Sequence, residues 1–380
     1  MMQRRTQGVI FAVSVGASLA LLSGQASAYV QTNLVSDLPS MAPVTDSNLV
    51  NPWGMSYGPG GPIWVSDNHS GVSTLYTGSG QPFPVGSPLV VTIPLPSGAT
   101  PPPPAAPTGQ VHNSDLTNFK GAAFIFATED GTISYWKGGT AAILSPIDNS
   151  GAGAVYKGLA IAGSGANARI YATNFNSGKV EAYDSNFAPV SLPFTPPANI
   201  PADFAPFGIQ NVGGNLVVTY AKQDAFKHDD VAGAGNGYVA VYDPNGNLIG
   251  SGTLIAQGAL NSPWGIALAP SDFGQFSNDL LVGNFGDGTI NAFDPTTGTL
   301  LGTLDNPDGS PISIEGLWGL LFGNGGLGGA MNELFFTAGI SGGGVKEDHG
   351  LFGDIIVPEP STMALLIPAM AWLGLRRWRA

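Results

Sequence analysis

The chain is expected to be an all-β protein, a six-bladed β-propeller of four-stranded antiparallel blades, with a signal peptide before it and a hydrophobic helix after it. Three observations carry this. The stretch 261–304 reads as one complete blade, two sequence marks recur six times each in strict alternation, and the two ends have the composition of export segments.

The blade at 261–304 shows four short apolar runs separated by turn residues: Pro263–Leu268, Asp279–Asn284, Gly288–Phe293 and Thr299–Leu304. Asp294-Pro295-Thr296-Thr297-Gly298 joins the last two, with Pro presetting φ and Gly accepting φ > 0. One such blade cannot bury both of its faces, so copies are required.

The copies are found by two marks. The first is an aromatic residue or lysine followed by glycine: Trp53-Gly54, Lys120-Gly121, Lys157-Gly158, Phe207-Gly208, Trp264-Gly265 and Trp318-Gly319. The second opens each third strand, as in Gly131–Trp136, Gly178–Tyr183, Gly237–Tyr242 and Gly288–Phe293, with degenerate copies at Gly71–Tyr76 and Gly350–Ile355. A tryptophan beside glycine is expected to pack between neighbouring blades, where only glycine lets backbones approach. The sixth copy lacks an outer strand. Gln31–Asp37 has no partner nearby in sequence and is expected to supply it, closing the ring and removing its edges.

Composition agrees. The 380 residues include 55 Gly and 31 Pro, and only 10% are charged. Between Tyr29 and Val357 there are eight basic and 25 acidic residues, a formal charge of −17. Such a body disfavours nucleic acid and anionic lipid and suits cations or neutral glycans. There is no cysteine, so disulfide and thiol chemistry are excluded.

Residues 1–28 have the parts of a secretory signal peptide: Arg4-Arg5, the apolar run Val9–Leu22, and Ala26-Ser27-Ala28 at the cleavage position. The propeller is expected over 29–356, and 357–380 forms a sorting or anchor segment. Three insertions, Pro94–Thr117, Ala221–Asn236 and Gly339–His349, are expected to crowd one mouth of the ring, because loops after strands two and four of a blade share a face. His112, His228 and His349 lie in them, and His69 lies in the second loop of blade one. All four are therefore expected on that face, with Asp67, Asn174 and Asn284 at matching strand ends near the channel. This set is the candidate ligand-binding group. Oxygens of Asp67, Asn174 and Asn284 from alternate blades would suit a hard cation, with calcium as the cofactor, while the same residue types also cap turns. No DxDxDG, HExxH, GxSxG or phosphate-cradling motif is present, and no catalytic set stands out.

The C-terminal segment reads Val357-Pro358-Glu359-Pro360, then an apolar stretch to Leu375, then Arg376-Arg377-Trp378-Arg379. It resembles the PEP-CTERM sorting signal of exported bacterial proteins. That resemblance implies a Gram-negative host, an exosortase-type sorting enzyme as partner, transient anchoring in the inner membrane, processing near Ala28 and near Pro358, Glu359 and Pro360, and a link to exopolysaccharide. The body, from the Asn33-Leu34-Val35-Ser36-Asp37 segment through the blades, is similar to a bacterial propeller family often carrying this signal, and the Phe293–Gly298 turn is similar to NHL-type blades. These likenesses imply a propeller that binds ligands or partners. Two functions stay open: an exported envelope or matrix protein binding a glycan or protein through its loop-rich face, or a metal-dependent hydrolase or lactonase with its site at the channel mouth.

Overall fold

The computed structural model describes residues 28–358, and the signal-peptide and sorting-segment expectations lie almost wholly outside them. Within them the chain forms six sheets around one axis, antiparallel except that Val44–Thr45 adds a short parallel fifth strand outside Val30–Ser36 in blade six. Blade one is Pro52–Ser56, Ile63–Asp67, Val72–Tyr76 and Val91–Thr92. Blade two is Pro107–His112, Phe124–Thr128, Thr132–Trp136 and Ile143–Asp148. Blade three is Tyr156–Ala162, Arg169–Asn174, Lys179–Asp184 and Pro189–Val190. Blade four is Phe204–Val212, Asn215–Lys222, Tyr238–Tyr242 and Ile255–Ala256. Blade five is Pro263–Leu268, Leu280–Asn284, Ile290–Phe293 and Leu300–Thr303, within two residues of the expected runs.

Blade six takes three strands from the C-terminal end, Leu317–Phe322, Leu334–Ile340 and His349–Ile356. Its fourth strand comes from the N-terminal end. Val30–Ser36 pairs antiparallel with His349–Ile356, from Val30 opposite Ile356 to Ser36 opposite Leu351. The ring is closed by both ends of the chain, as expected. His349 Nδ1 lies 2.6 Å from Asp37 Oδ2, and the Gly350 amide donates to Asp37 Oδ1 at 2.8 Å, so this histidine latches the closure.

The inner strands approach one another through a ring of glycines. A Cβ added at Gly54, Gly158, Gly208, Gly265 or Gly319 would come within 2.2–2.9 Å of the carbonyl oxygen of Thr108, Phe207, Trp264, Trp318 or Trp53, respectively. One at Gly109 would come 2.3 Å from the Leu159 amide nitrogen. A closed ring has no free edge to absorb the displacement. Gly208→Ala is therefore expected to cost about 3 kcal/mol, the upper end for overpacking. Gly151→Ala, at a position with open space around it, should stay within about 0.5 kcal/mol. Urea midpoints of the two variants check this; equal midpoints would remove the steric account of the ring.

This ring corrects the reading of blade two. Its inner strand is Pro107–His112, inside the supposed insertion 94–117, and its ring glycine is Gly109. Lys120-Gly121 lies in the loop between the first and second strands, where Phe119 and Lys120 have φ of 48° and 58° and cannot continue a strand. Thr108 stands where other blades carry an aromatic residue or lysine, so the search for that pattern passed over it.

The tryptophans pack between neighbouring blades, as expected, and in addition meet across the axis. Trp53 stacks on Trp318 with centroids 3.5 Å apart, Phe285 stacks on Trp318 at 4.0 Å, and Trp264 meets Trp53 edge-on at 5.9 Å although blades one and five are not adjacent. With Phe175 and Phe207 they form a buried plug. Beneath it the channel keeps a cavity of about 30 Å³ lined by Gly54, Gly109, Gln110 and Gly319. The site must therefore be a mouth and not a tunnel.

Candidate functional site

Loops joining strands two and three, and those joining one blade to the next, emerge on the same face. At its centre is Lys157, the second residue of the inner strand of blade three. It occupies the ring position filled by Trp53, Phe207, Trp264 and Trp318 in other blades, and it is 2% exposed. Its ammonium lies 5.1 Å from the Trp53 ring centroid and 5.9 Å from that of Phe175. It donates to Glu129 Oε1, and to Asp229 Oδ1 at 3.2 Å. Burial alone would drive its pKa down, but Glu129 and Asp229 outweigh that and raise it. Lys157 is thus a fixed cation and not a nucleophile.

Three loops hold the surrounding groups. Glu129 follows the second strand of blade two, and its Oε2 accepts from Asn68 Nδ2 at 2.8 Å. His228 and Asp229 sit on a tight extension of blade four, closed by the pairing of Gln223 with Asp230. Asp224 Oδ1 accepts from the His228 amide at 2.9 Å and fixes the turn. His228 Nδ1 lies 2.9 Å from Asp229 Oδ1. That contact raises the histidine pKa against the cost of burial, and it holds the Asp229 carboxyl well below the usual range together with Lys157. In the neutral imidazole it leaves Nε2 as the acceptor.

Glu347 comes from the long loop of blade six. Its backbone has φ of 77°, the left-handed region that ordinary residues avoid. Asn51 Nδ2 donates to its Oε1 at 3.1 Å, and Asn51 is itself held by Trp318 Nε1 donating to Oδ1 at 3.0 Å. A Cβ at Gly339 would lie 2.2 Å from Asn51 Oδ1 and 3.1 Å from Glu347 Cγ, so only glycine leaves room for this pair. Burial first, then the charge of Glu129, push the Glu347 carboxyl up to about 7; Lys157 and the Asn51 bond oppose the rise. An acid poised at neutrality, at the same mouth as an aspartate-oriented histidine, offers the two groups that proton transfer needs, both facing the charges of Glu129, Asp229 and Lys157.

The four histidines do not share a face. His69, His228 and His349 lie with the second-to-third-strand loops. His112 ends the inner strand of blade two and lies on the opposite face, lining a groove of about 260 Å³ with Tyr57, Gln210 and Asn211. Its displacement follows from the misplaced strand. Asp67, Asn174 and Asn284 do end their second strands as expected. Their side chains are engaged within their own blades. Asp67 Oδ2 accepts from Thr74 at 2.8 Å, and burial holds its carboxyl well above the usual range. Asn174 accepts from the amides of Val155 and Ser177 and donates to Glu181. Asn284 accepts from the Asn261 amide and donates to Ala259 O and Thr289 Oγ1. The asparagine bonds to backbone amides are turn-capping contacts, whereas Asp67 bonds across to the third strand and keeps Oδ1 buried without a partner among the described residues. The signal for the site itself was the lysine in an otherwise mostly aromatic register; Asn51 and Glu347 gain their roles only when blades one, two and six meet.

One ligand atom each from Glu129, His228 and Asp229 lies within 4.8 Å of the others, a spacing a cation could use. The Lys157 ammonium already bonds two of the three. A divalent ion there would face a buried positive charge at close range, so this set does not fit a resident metal while Lys157 keeps its proton.

No known family profile matches the chain. It is 31% identical over 337 residues to "Uncharacterized protein R648" of Acanthamoeba polyphaga mimivirus, covering 85% of this chain and 78% of that protein. It is 29% identical over 310 residues to "Uncharacterized protein L690" of the same virus, covering 76% and 77%. Among solved structures, the soluble aldose sugar dehydrogenase from Escherichia coli in the apo-form superposes with a TM-score of 0.53 at 11% identity, covering 87% of this chain and 100% of that one. That likeness is one of fold. The relatives are viral and lend no support to a bacterial host. By identity and coverage, the chain belongs to the family of the uncharacterized protein R648 of Acanthamoeba polyphaga mimivirus.

Proposed function

We propose that the protein is an acid–base hydrolase that opens small, polar, uncharged esters or lactones at the loop-rich mouth of its propeller. The observation that carries this is Glu347, held near neutrality by burial and by Glu129, on the face that also presents the His228–Asp229 dyad. A face used only to bind a glycan or protein needs no such group. In this reading His228 Nε2 takes a proton from water as the water oxygen attacks the carbonyl carbon. The acyl C–O bond then breaks, and protonated Glu347 gives its proton to the leaving alkoxide. Both groups reset by exchange with solvent. Lys157 positions the others by neutralising Glu129 and Asp229, and the acidic surroundings disfavour anionic substrates.

The test is turnover of a panel of chromogenic esters and five- and six-membered lactones by the full chain. His228→Ala is expected to lower kcat/KM by about 10²–10⁴-fold, and chelator treatment should leave both turnover and Tm unchanged. Activity lost to chelator and restored by calcium would return the site to the metal-dependent reading. Failure to turn over any member would remove the hydrolase reading.

The terminal segments extend the proposal to location. The composition of 1–28 and 357–380 supports export, with transient anchoring through the C-terminal apolar run and removal by an exosortase-type enzyme. The full chain is expected in the membrane fraction and a chain ending at Val357 in the soluble exported fraction. Identical distributions would show that the segment is no anchor.

A further inference from the structure

We propose that blade three carries a docking slot for an extended peptide, which adds as a strand beside Lys179–Glu181. The reason lies in a missing half-strand. In five blades an outer neighbour reaches the beginning of strand three. Val72 and Ser73 pair with Thr92 and Val91, Thr132 with Asp148, Tyr238 and Val239 with Ala256 and Ile255, Asn291 with Thr303, and Leu351 with Ser36. In blade three pairing stops at Ala182 opposite Val190 and Tyr183 opposite Pro189. Among the described residues, Lys179, Val180 and Glu181 have no strand on their outer side.

The local sequence explains the gap. After Val190 the chain runs Ser191-Leu192-Pro193-Phe194-Thr195-Pro196-Pro197, and proline has no amide hydrogen to give a ladder. Phe194 is buried beside Tyr171 and Tyr242, and its amide donates to Gly246 O at 3.1 Å, so the segment is drawn onto blade four. What remains is a groove of about 1190 Å³ that includes the open edge itself. This exceeds the ~300–1,000 Å³ usual for small-molecule pockets.

The groove fits one occupant in particular. Its lining is mixed: Val190 and Leu192 are half-buried toward blade four, while Ile147 and Phe187 lie buried toward blade two among polar groups such as Asn149 and Ser177. An added strand would therefore present alternating side chains, apolar toward Val190 and Leu192 and polar toward blade two. The Glu181 carboxylate does not select charge, because Tyr156, Tyr183 and Asn174 already donate to it. Lys179 is exposed at the first position of the edge and makes no salt bridge among the described residues. It is complementary to a carboxylate on the incoming peptide.

The probe is a capped, fluorescent pentapeptide of alternating Val and Thr ending in Glu, titrated against the full chain. Saturable binding is expected, with slowed amide exchange confined to 179–182. Backbone N-methylation of the peptide should abolish binding, since only strand addition needs its amides. Lys179→Glu should weaken this peptide about three- to fivefold and favour an otherwise identical peptide ending in Lys. Any one of four outcomes would overturn the proposal: no saturable binding; equal binding of the N-methylated peptide; protection elsewhere; or concentration-dependent dimerisation that protects 179–182 without peptide. The last would assign the edge to a second copy of the chain.

Discussion

Replacing Lys157 by methionine is expected to destabilise the fold by about 3–5 kcal/mol, the range for removing one partner of a buried ion pair. The side chain sits in the aromatic plug with its ammonium between Glu129 and Asp229, whose side chains are 13% and 67% exposed. Methionine fills much of the same space, so the loss comes mainly from Glu129, left buried with its charge uncompensated. Asp229 is open to water and keeps His228. The double variant Lys157→Met, Glu129→Gln should therefore recover most of the loss. Urea unfolding with unchanged m-values measures both. A single variant within about 1 kcal/mol of the native chain would mean that Lys157 is not the electrostatic centre of the mouth.

Glu347→Gln is expected to stabilise the protein at pH 8, by on the order of 1 kcal/mol, while removing most of its activity. The Glu347 pKa is raised from its ordinary 4.5 to about 7. Between those values the folded protein holds a proton that the unfolded chain releases. Stability from this group therefore falls as pH rises through that window, and the cost of ionising it is fully present above pH 7. Glutamine never ionises and still offers an oxygen to Asn51. Glu333, beside Asp354, is also pushed up to about 7 by burial and by that contact. The native stability curve contains both groups, and the difference between native and variant curves isolates Glu347. Equal curves at pH 5 and pH 8 would show that Glu347 titrates as an ordinary exposed acid.

The architecture was legible because it is written locally. Trp264-Gly265, the Asp294–Gly298 turn and their copies record a repeating backbone need, and the orphan segment at Gln31 marked the closure. Blade two failed for a local reason as well: Thr108 broke the aromatic-or-lysine pattern, and Lys120-Gly121 imitated it in a loop. That error carried His112 to the wrong face. The proton-transfer site was less legible because its properties are collective. His228 and Asp229 are neighbours in sequence and could be noticed. The pKa of Glu347 depends on burial in the folded ring, on Asn51 from the start of blade one and on Glu129 from blade two, none of which any short stretch reveals. Asn174 and Asn284 show the converse: residue types suited to a ligand, at matching positions, whose bonds go to their own turns.

The central claim is that Glu347 and His228 act as acid and base at one mouth. The measurement that tests it most directly is the pH dependence of kcat/KM on the best substrate of the ester and lactone panel, for the native chain and for Glu347→Gln. The native profile should be a bell. Its acid limb comes from His228, whose pKa the Asp229 contact raises above the ordinary imidazole value, and its alkaline limb, near 7, comes from Glu347. In Glu347→Gln the residual activity should lose the alkaline limb and keep the acid one. An alkaline limb that survives the substitution at the same pH would contradict the assignment.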